Sequence, residues 1–530
     1  MFASLTGSFV RFSRDESGSL IQFSLFIFLA MLMFGGIAVD LMLLENKRVH
    51  LQNSTDRAVL AAANLDQSLD PKLVVQDYMK KSGIEVSLDD IDVQERTMGS
   101  VTTGRQVTVN VDTTHNTLLM DLAGVATLPY GALSEAGEAI NDIEISLVLD
   151  VSGSMDQGTK LPDLKKAATN FVTKVLAGAE DGRVSISLVP YSTQVSAGRA
   201  LLSAMNVTDR HDYSSCVNFE GTTFGTMAIN HNVALEQTAH FDPWKGYDDS
   251  RGGSKRAPYW LVCRNEAHFD MLPWTNDANA LNSQIQAFTA GGNTSIDVAV
   301  KWGAAMLDPS MRDQVDAMIA DSSVTTTPSE FSGRPFDYNR EDTLKFIIVM
   351  TDGINTTQYT LRDQYKSGPS GIYRDTATGR LSRKSGKDYY HAHTGEWSNA
   401  PYDSDGKKSG SKAVELDWRD VWADMSMSYR AYELYYKTDY KSDDYYDNLY
   451  GPRTAINAAE KDSRLSSICS AAKAKNVVIF TIGFEVTDSS AAVMRNCAST
   501  DSHFYRVNDS ELEVAFASIA NQINQLKLTQ

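Results

Sequence analysis

Four cysteines, Cys216, Cys263, Cys469 and Cys497, are all that the 530-residue chain contains, and no two of them form a CxxC pair. That spacing argues against a zinc site. The chain also lacks a G-x-S-x-G elbow, a G-x-x-x-x-G-K-[ST] phosphate loop and an H-E-x-x-H pair, which removes the common routes to hydrolase, nucleotide and zinc-peptidase chemistry. We expect no enzyme. An excess of basic residues is missing as well: the formal net charge is −18 and the pI about 5.0, which speaks against a general affinity for nucleic acid. The length exceeds one ordinary core, so two domains, or one domain with large insertions, are expected.

Charge itself is missing from Leu20 to Val39, a run of 20 residues that includes LFIFLAMLMFGGIAV. A helix of this length spans roughly the 30 Å hydrocarbon layer of a bilayer. A cleaved secretory signal is the competing reading, but the run is longer than the usual apolar core of a signal and no A-x-A site closes it. We expect an uncleaved anchor, with Asp40 at its end reaching the headgroup region and so escaping burial. Positive charges do not orient it, because Arg11 and Arg14 on one side face Lys47, Arg48 and Arg57 on the other. The cysteines bear on orientation. Four thiols allow three pairings, of which we take Cys216 with Cys263 and Cys469 with Cys497; four reduced, buried thiols are the alternative. Disulfides would put that part of the chain in a periplasm or outside the cell.

Organisation follows from periodicity. Residues 1–19 form a tail, 20–44 the transmembrane anchor, and 45–140 a helical stalk with a small α+β module, built from the alternating GRQVTVNVDTT, a short helix at HNTLLMDLAGV and a second strand at TLPYGALSEAG. From residue 143 near-continuous apolar strands (IEISLVLDV, RVSISLVPY, LKFIIVMTDG, NVVIFTIGF) alternate with helices, and SELEVAFASIANQINQL, opening on Ser510, Glu511 and Glu513, closes the chain. This pattern predicts an α/β fold, a doubly wound, mostly parallel sheet over residues 141–528, interrupted by insertions at about 203–275 and 355–453. The second insertion is dense in tyrosine; the rings serve either recognition or the packing of the insertion itself. His391 and His393 are read as a solvated loop, with a transition-metal site as the alternative; Asp403 and Asp405 resemble the start of a calcium loop, but no acid follows at the spacing such a loop needs, so that match is set aside.

The stretch LVLDVSGSM carries Asp150, Ser152 and Ser154 at the end of a strand, so one carboxylate and two hydroxyls can face one point. Neutral and anionic oxygens of this kind suit a hard divalent cation. Thr294, in AGGNTSID, and Asp352, ending IIVMTDG, sit at corresponding places. D-V-S-G-S, then Thr294, then T-D-G resembles the metal-ion-dependent adhesion site of the von Willebrand factor A domain family. That resemblance implies metal ligation by Asp150, Ser152, Ser154, Thr294 and Asp352, a magnesium ion (or manganese or calcium), and a vacant position taken by a Glu or Asp carboxylate of a protein partner.

The front of the chain has its own resemblance. RFSRDESGSLIQF, an anchor ending AVDLMLL and a helix with LQNSTDRAVLAAA are similar to the N-terminus of TadG-like proteins of Flp (tight-adherence) pilus systems. Gly18 is placed like a prepilin cleavage site, yet Phe23 stands where that site has glutamate. The two resemblances imply a single-pass protein of the bacterial inner membrane, its C-terminal region in the periplasm or outside, binding pilus or pilus-assembly components through the metal. A surface adhesin or a scaffold of another envelope complex would use the same site; a metal-dependent hydrolase is the remaining alternative.

Overall fold

The computed structural model describes residues 18–64, 69–98, 101–139, 142–177, 179, 182–208, 210–244, 256–340, 342–406, 412–508 and 511–528. The tail before residue 18, and Ser510 at the expected start of the last helix, lie outside the described residues. Two compact units are formed, Met1–Ile140 and Asn141–Thr529.

In the first unit the apolar run and the stalk are one helix, α1 (Gly18–Ala63), of 46 residues and about 69 Å at 1.5 Å per residue. Among the described residues it is the one helix long and apolar enough to cross a membrane, and only 11% of its most apolar window is buried. Its second half changes character. Leu51, Ala58, Val59, Ala62 and Ala63 turn inward and pack with Val74, Val75 and Met79 of α2 (Pro71–Lys81) and with Val107, Val109 and Val111. The three valines belong to β2 (Val101–Asn116), the central strand of an antiparallel sheet between β1 (Ile91–Met98) and β3 (Thr127–Ala139). Asp70 caps α2, accepting from the Lys72 amide at 2.9 Å ahead of Pro71. The helix expected at HNTLLMDLAGV shrinks to one 3-10 turn, Met120–Ala123, because β2 runs on to Asn116 and Gly124 ends the turn at φ +90°.

The second unit is built on a six-stranded mixed sheet. β4 (Asp142–Asp150) lies at its centre, between β5 (Val184–Tyr191) and β7 (Thr343–Thr351), and pairs in parallel with both. Beyond β7 come β8 (Val478–Phe484) and β9 (Phe504–Val507), also parallel, while β6 (Leu272–Thr275) adds antiparallel to β5. Ile143, Ile145, Leu147 and Leu149 of β4 face a cluster with α3 (Lys160–Leu176), α4 (Ala278–Ala287) and α8 (Glu511–Leu528). Val148, on the opposite side, meets α5 (Ile296–Ala305), α6 (Ala458–Lys473) and α7 (Asp488–Cys497). Helix α5 approaches closely because position 303 is glycine: a Cβ there would lie 2.8 Å from Val148 Cγ2, and Ser146 Oγ donates to the Gly303 carbonyl at 2.6 Å. Such proximity is open only to a residue without a side chain.

The interrupting stretches carry structure of their own. Five antiparallel strands, in the order Glu396–Ser398, Asp388–His391, Leu381–Ser385, Pro369–Asp375 and Ala413–Asp417, form a sheet whose apolar side joins Trp418, Trp422 and Leu449 with Phe241 and Val262 from the first insertion. The tyrosines divide by burial. Tyr390 and Tyr445 are buried, whereas Tyr440, Tyr446 and Tyr450 are exposed. All four cysteines are oxidised, Cys216 with Cys263 and Cys469 with Cys497, so the reduced alternative is set aside.

At the amino end of β4 a buried ion cluster replaces apolar packing. Arg334, fully enclosed, donates to Asp142 Oδ1 at 3.0 Å, Glu144 Oε1 at 3.3 Å and the Gly182 carbonyl at 2.6 Å, and Lys345 closes on the second oxygen of Glu144. Removing one member leaves uncompensated charge in a dry place. Arg334→Ala is expected to lower the unfolding free energy by roughly 3–5 kcal/mol, read as the denaturant midpoint of the purified protein; a loss below about 1 kcal/mol, the level of a surface pair, would show the cluster to be hydrated.

Candidate metal centre

Asp150 and Asp352 are neighbours because β4 and β7 are adjacent and parallel, with Leu149 opposite Met350, so both chains turn away at the same end of the sheet. The turn after β4 folds back on its own acid. Ser152 N donates to Asp150 Oδ1 at 2.8 Å, while Asp150 Oδ2 accepts from Thr351 Oγ1 at 2.8 Å and Tyr191 OH at 3.3 Å. From there a chain of oxygens runs outward. Ser152 Oγ lies 3.1 Å from Ser154 Oγ, and Ser154 Oγ donates to Asp352 Oδ1 at 2.6 Å.

A third segment is docked onto this turn. Gly291 N donates to the Val151 carbonyl at 3.0 Å and Gly153 N to the Gly292 carbonyl at 2.9 Å. Gly292 sits at φ +84°, and a Cβ there would lie 2.9 Å from Thr193 Oγ1, so a glycine is required twice over. Thr294, two residues on, is buried, and its amide donates to Thr356 Oγ1 at 2.8 Å. Lys461 fixes it from below through the Thr294 carbonyl at 2.7 Å, the Ser295 hydroxyl at 2.6 Å and the Thr356 carbonyl at 2.7 Å. The structure thus joins Asp150, Ser152, Ser154 and Asp352 in one hydrogen-bonded chain. Thr294 is held at the same rim by its backbone, and its hydroxyl stands outside that chain.

Burial, and then the charge of Asp352, push the Asp150 carboxyl up to about 6. The Tyr191 phenol is driven upward by burial and by Asp150, so it keeps its proton and remains a donor. Burial lowers Lys461 to about 8. Two acids crowded in a dry pocket call for positive charge. Lys160, in the first turn of α3, supplies some: Nζ is 2.9 Å from Asp352 Oδ2 and 3.5 Å from Glu485.

The donor set fits a hard cation in type and in one measured edge. Adjacent ligands of an octahedral magnesium at about 2.1 Å stand about 3.0 Å apart, close to the 3.1 Å between the serine hydroxyls. Among the described residues no three His, Cys, Asp or Glu side chains gather as a metal site, so hydroxyls would have to complete any coordination. The loop expectation fails for His391, which ends the strand Asp388–His391 and whose Nε2 bonds the Ala400 carbonyl and Ser398; Asp403 lies in a loop and accepts from the Asp405 and Lys412 amides. Lys160, Tyr191, Thr351 and Lys461 were not singled out in the sequence. Of these only Thr351, directly before Asp352, had a local signal.

The anchor segment matches the Tad family. Residues 18–65 fit the model described as "Putative Flp pilus-assembly TadE/G-like". No curated protein matches the chain. Among solved structures, it is similar to the vWF domain of the type V pili tip protein Mfa5 from Porphyromonas gingivalis, at 15% identity and TM-score 0.32, over 74% of this chain and 98% of that one. It is also similar to the pilus adhesin SpaC from Lactobacillus rhamnosus GG (12%, TM-score 0.29, 82% of this chain and 33% of that one) and to the adhesive tip pilin GBS104 from Group B Streptococcus agalactiae (14%, TM-score 0.28, 72% and 100%). Likenesses at this level place no residue of the site.

Lys160 makes a prediction specific to this chain. Its ammonium pairs with the carboxylate that a divalent ion would share, so the two would compete. Lys160→Met is expected to bind manganese or magnesium more tightly, seen as a larger rise in unfolding temperature on adding the ion than in the unsubstituted protein; an equal or smaller rise would mean that Lys160 and the ion do not contend for Asp352.

Proposed function

We propose that this chain is a non-enzymatic, membrane-anchored protein of the bacterial envelope that serves Flp-type pilus assembly by holding a partner protein through a divalent cation. The sheet of its second unit is read as a doubly wound, von Willebrand A-type scaffold. Ser152, Ser154 and Thr294 would contribute hydroxyl oxygens, with Asp150 and Asp352 binding directly or through water. Magnesium is the first choice of ion. A bound ion of this kind supplies an electrophilic position that an anionic side chain can complete. The partner's Glu or Asp carboxylate is the group that fits, which lets two acidic proteins meet across a positive charge.

One observation carries this reading: Ser152, Ser154 and Asp352 converge, within hydrogen-bonding distance of one another, at the carboxyl end of the central strands, where open α/β sheets place their ligands. The Tad-family match of residues 18–65 supports the setting. Two disulfides support placing the second unit in an oxidising compartment, outside the cytoplasm, with α1 as a single inner-membrane span.

The test is capture. Full-length protein solubilised from envelopes with magnesium present is expected to retain pilus components and to release them in EDTA. Asp150→Asn, which keeps an acceptor for the Ser152, Thr351 and Tyr191 donors, is expected to lose capture while its unfolding midpoint changes little; retention by that variant, or indifference to EDTA, would count against the proposal.

The position of the Asp150 carboxyl adds a pH dependence with a definite sign. Its folded-state value is raised to about 6, so the metal-free fold takes up a proton as pH falls through that value, and the proton competes with the cation. Cation affinity is expected to be level above about pH 7 and to drop by up to about tenfold per unit below 6, measured by titration calorimetry. A flat profile from pH 7 to 5 would remove Asp150 from the coordination.

A further inference from the structure

Asp40 was expected to reach the headgroup region and escape burial; the structure instead encloses its carboxylate under the chain's own turn. It is fully buried, and it accepts the backbone amides of Leu118 at 2.9 Å, Leu119 at 2.9 Å and Met120 at 2.7 Å. One side chain of α1 therefore straps the turn between β2 and β3 against the helix. The contact continues one helical turn earlier. A Cβ on Gly36 would lie 2.7 Å from Leu119 Cβ, so glycine at that position lets the turn seat directly on the helix backbone.

The seat is at the level of residues 36–40, the last residues of the charge-free run and the acid that ends it. What the turn presents outward is apolar: Leu122 is 87% exposed, Leu118 66%, Leu119 44% and Val125 38%. Four exposed large apolar residues on one short turn are too many for a surface meant to stay wet. Six of its backbone amides are already paired. Besides the three amides on Asp40, those of Leu122, Gly124 and Val125 reach the carbonyls of Leu119, Asp121 and Met120, which is the condition for any non-helical backbone to enter the edge of a bilayer. Arg48, eight residues beyond Asp40, is exposed and 3.8 Å from Glu45, and stands about 12 Å further along the helix, on the water side of the headgroups.

We infer that the turn Leu118–Val125 is a second membrane contact: strapped to α1 by Asp40 and Gly36, it inserts Leu118, Leu119 and Leu122 into the outer edge of the acyl layer and fixes how the first unit stands on the bilayer. The occupant of this surface is phospholipid, because the turn is continuous with the part of α1 that lies in the membrane. The inference rests on reading residues 20–39 as the span. Asp121, the one ionisable side chain in the turn, is exposed and limits insertion to the interfacial layer.

Depth-dependent quenching decides it. The native cysteines are all in disulfides, so a single introduced cysteine can carry an environment-sensitive fluorophore in the full-length protein reconstituted in phosphatidylcholine vesicles. Leu122→Cys is expected to show blue-shifted emission and severalfold stronger quenching by a nitroxide on the shallow acyl carbons than by one near the chain ends. Leu133→Cys, exposed on β3 of the same unit, is expected to be quenched only by aqueous iodide, and Met31→Cys, mid-run, mainly by the deep nitroxide. Adding Asp40→Asn to Leu122→Cys is expected to release the turn and cut the lipid quenching severalfold. An iodide-accessible Leu122 probe beside a deeply quenched Met31 probe overturns the inference alone. A Leu122 probe shielded from both iodide and lipid nitroxides also overturns it, in favour of a protein contact. Loss of deep quenching at Met31 would instead overturn the span.

Discussion

The parallel pairing of β4 with β7 is the constraint on which the rest of the second unit depends. It brings the turn of residues 150–154 beside Asp352, which lies 198 positions after Ser154 in the chain, and it does so in a place too dry for two free carboxylates. Every neighbour of the pair answers that problem in part. The Ser152 amide, the Thr351 hydroxyl and the Tyr191 phenol donate to Asp150, while Ser154 and Lys160 attend to Asp352. Hydrogen bonds to an ionised group favour the charged form, and burial opposes it. At Asp150 burial prevails, which is why its proton is held to about 6.

This balance explains why the rim contains so many fixed backbone contacts. A loop free to move would let water reach the acids and relieve their repulsion without a cation. Instead the 291–294 segment is bonded to the turn at both Val151 and Gly153, and Lys461 ties its far side to Thr356. Lys461 is itself unfavourably placed, since burial lowers its affinity for a proton. Three close oxygen acceptors around Nζ offset that cost.

The parts of the molecule that could be read from the chain are those whose signal is local. Strands β4, β5, β7 and β8 announce themselves as apolar runs because both of their faces are covered; β6 and β9, at the sheet's edges, are four residues each, too short to leave such a trace. D-x-S-x-S is legible for a similar reason: its three side chains are brought together by one turn, with no help from elsewhere. Lys160 and Lys461 are the contrary case. A lysine near the start of a helix ordinarily points into water, and nothing within several residues of either one says that Asp352, or the Thr294 carbonyl, will come to meet it. Glu144 and Asp142 were likewise hidden, since acids inside an apolar strand gain their meaning from Arg334, about 190 residues away.

The same reasoning separates the two acids that end apolar segments, Asp40 and Asp150. Each follows a hydrophobic run, and each is fully buried, yet their partners differ in kind. Asp40 receives three backbone amides from one turn, a nest of donors that satisfies a carboxylate completely and leaves it no call for a cation. Asp150 receives one amide and two hydroxyls, faces a second acid, and is left short of positive charge. Physical demand, more than the presence of a carboxylate, therefore distinguishes a structural strap from a candidate binding site: the first acid is finished by its own chain, and the second is not.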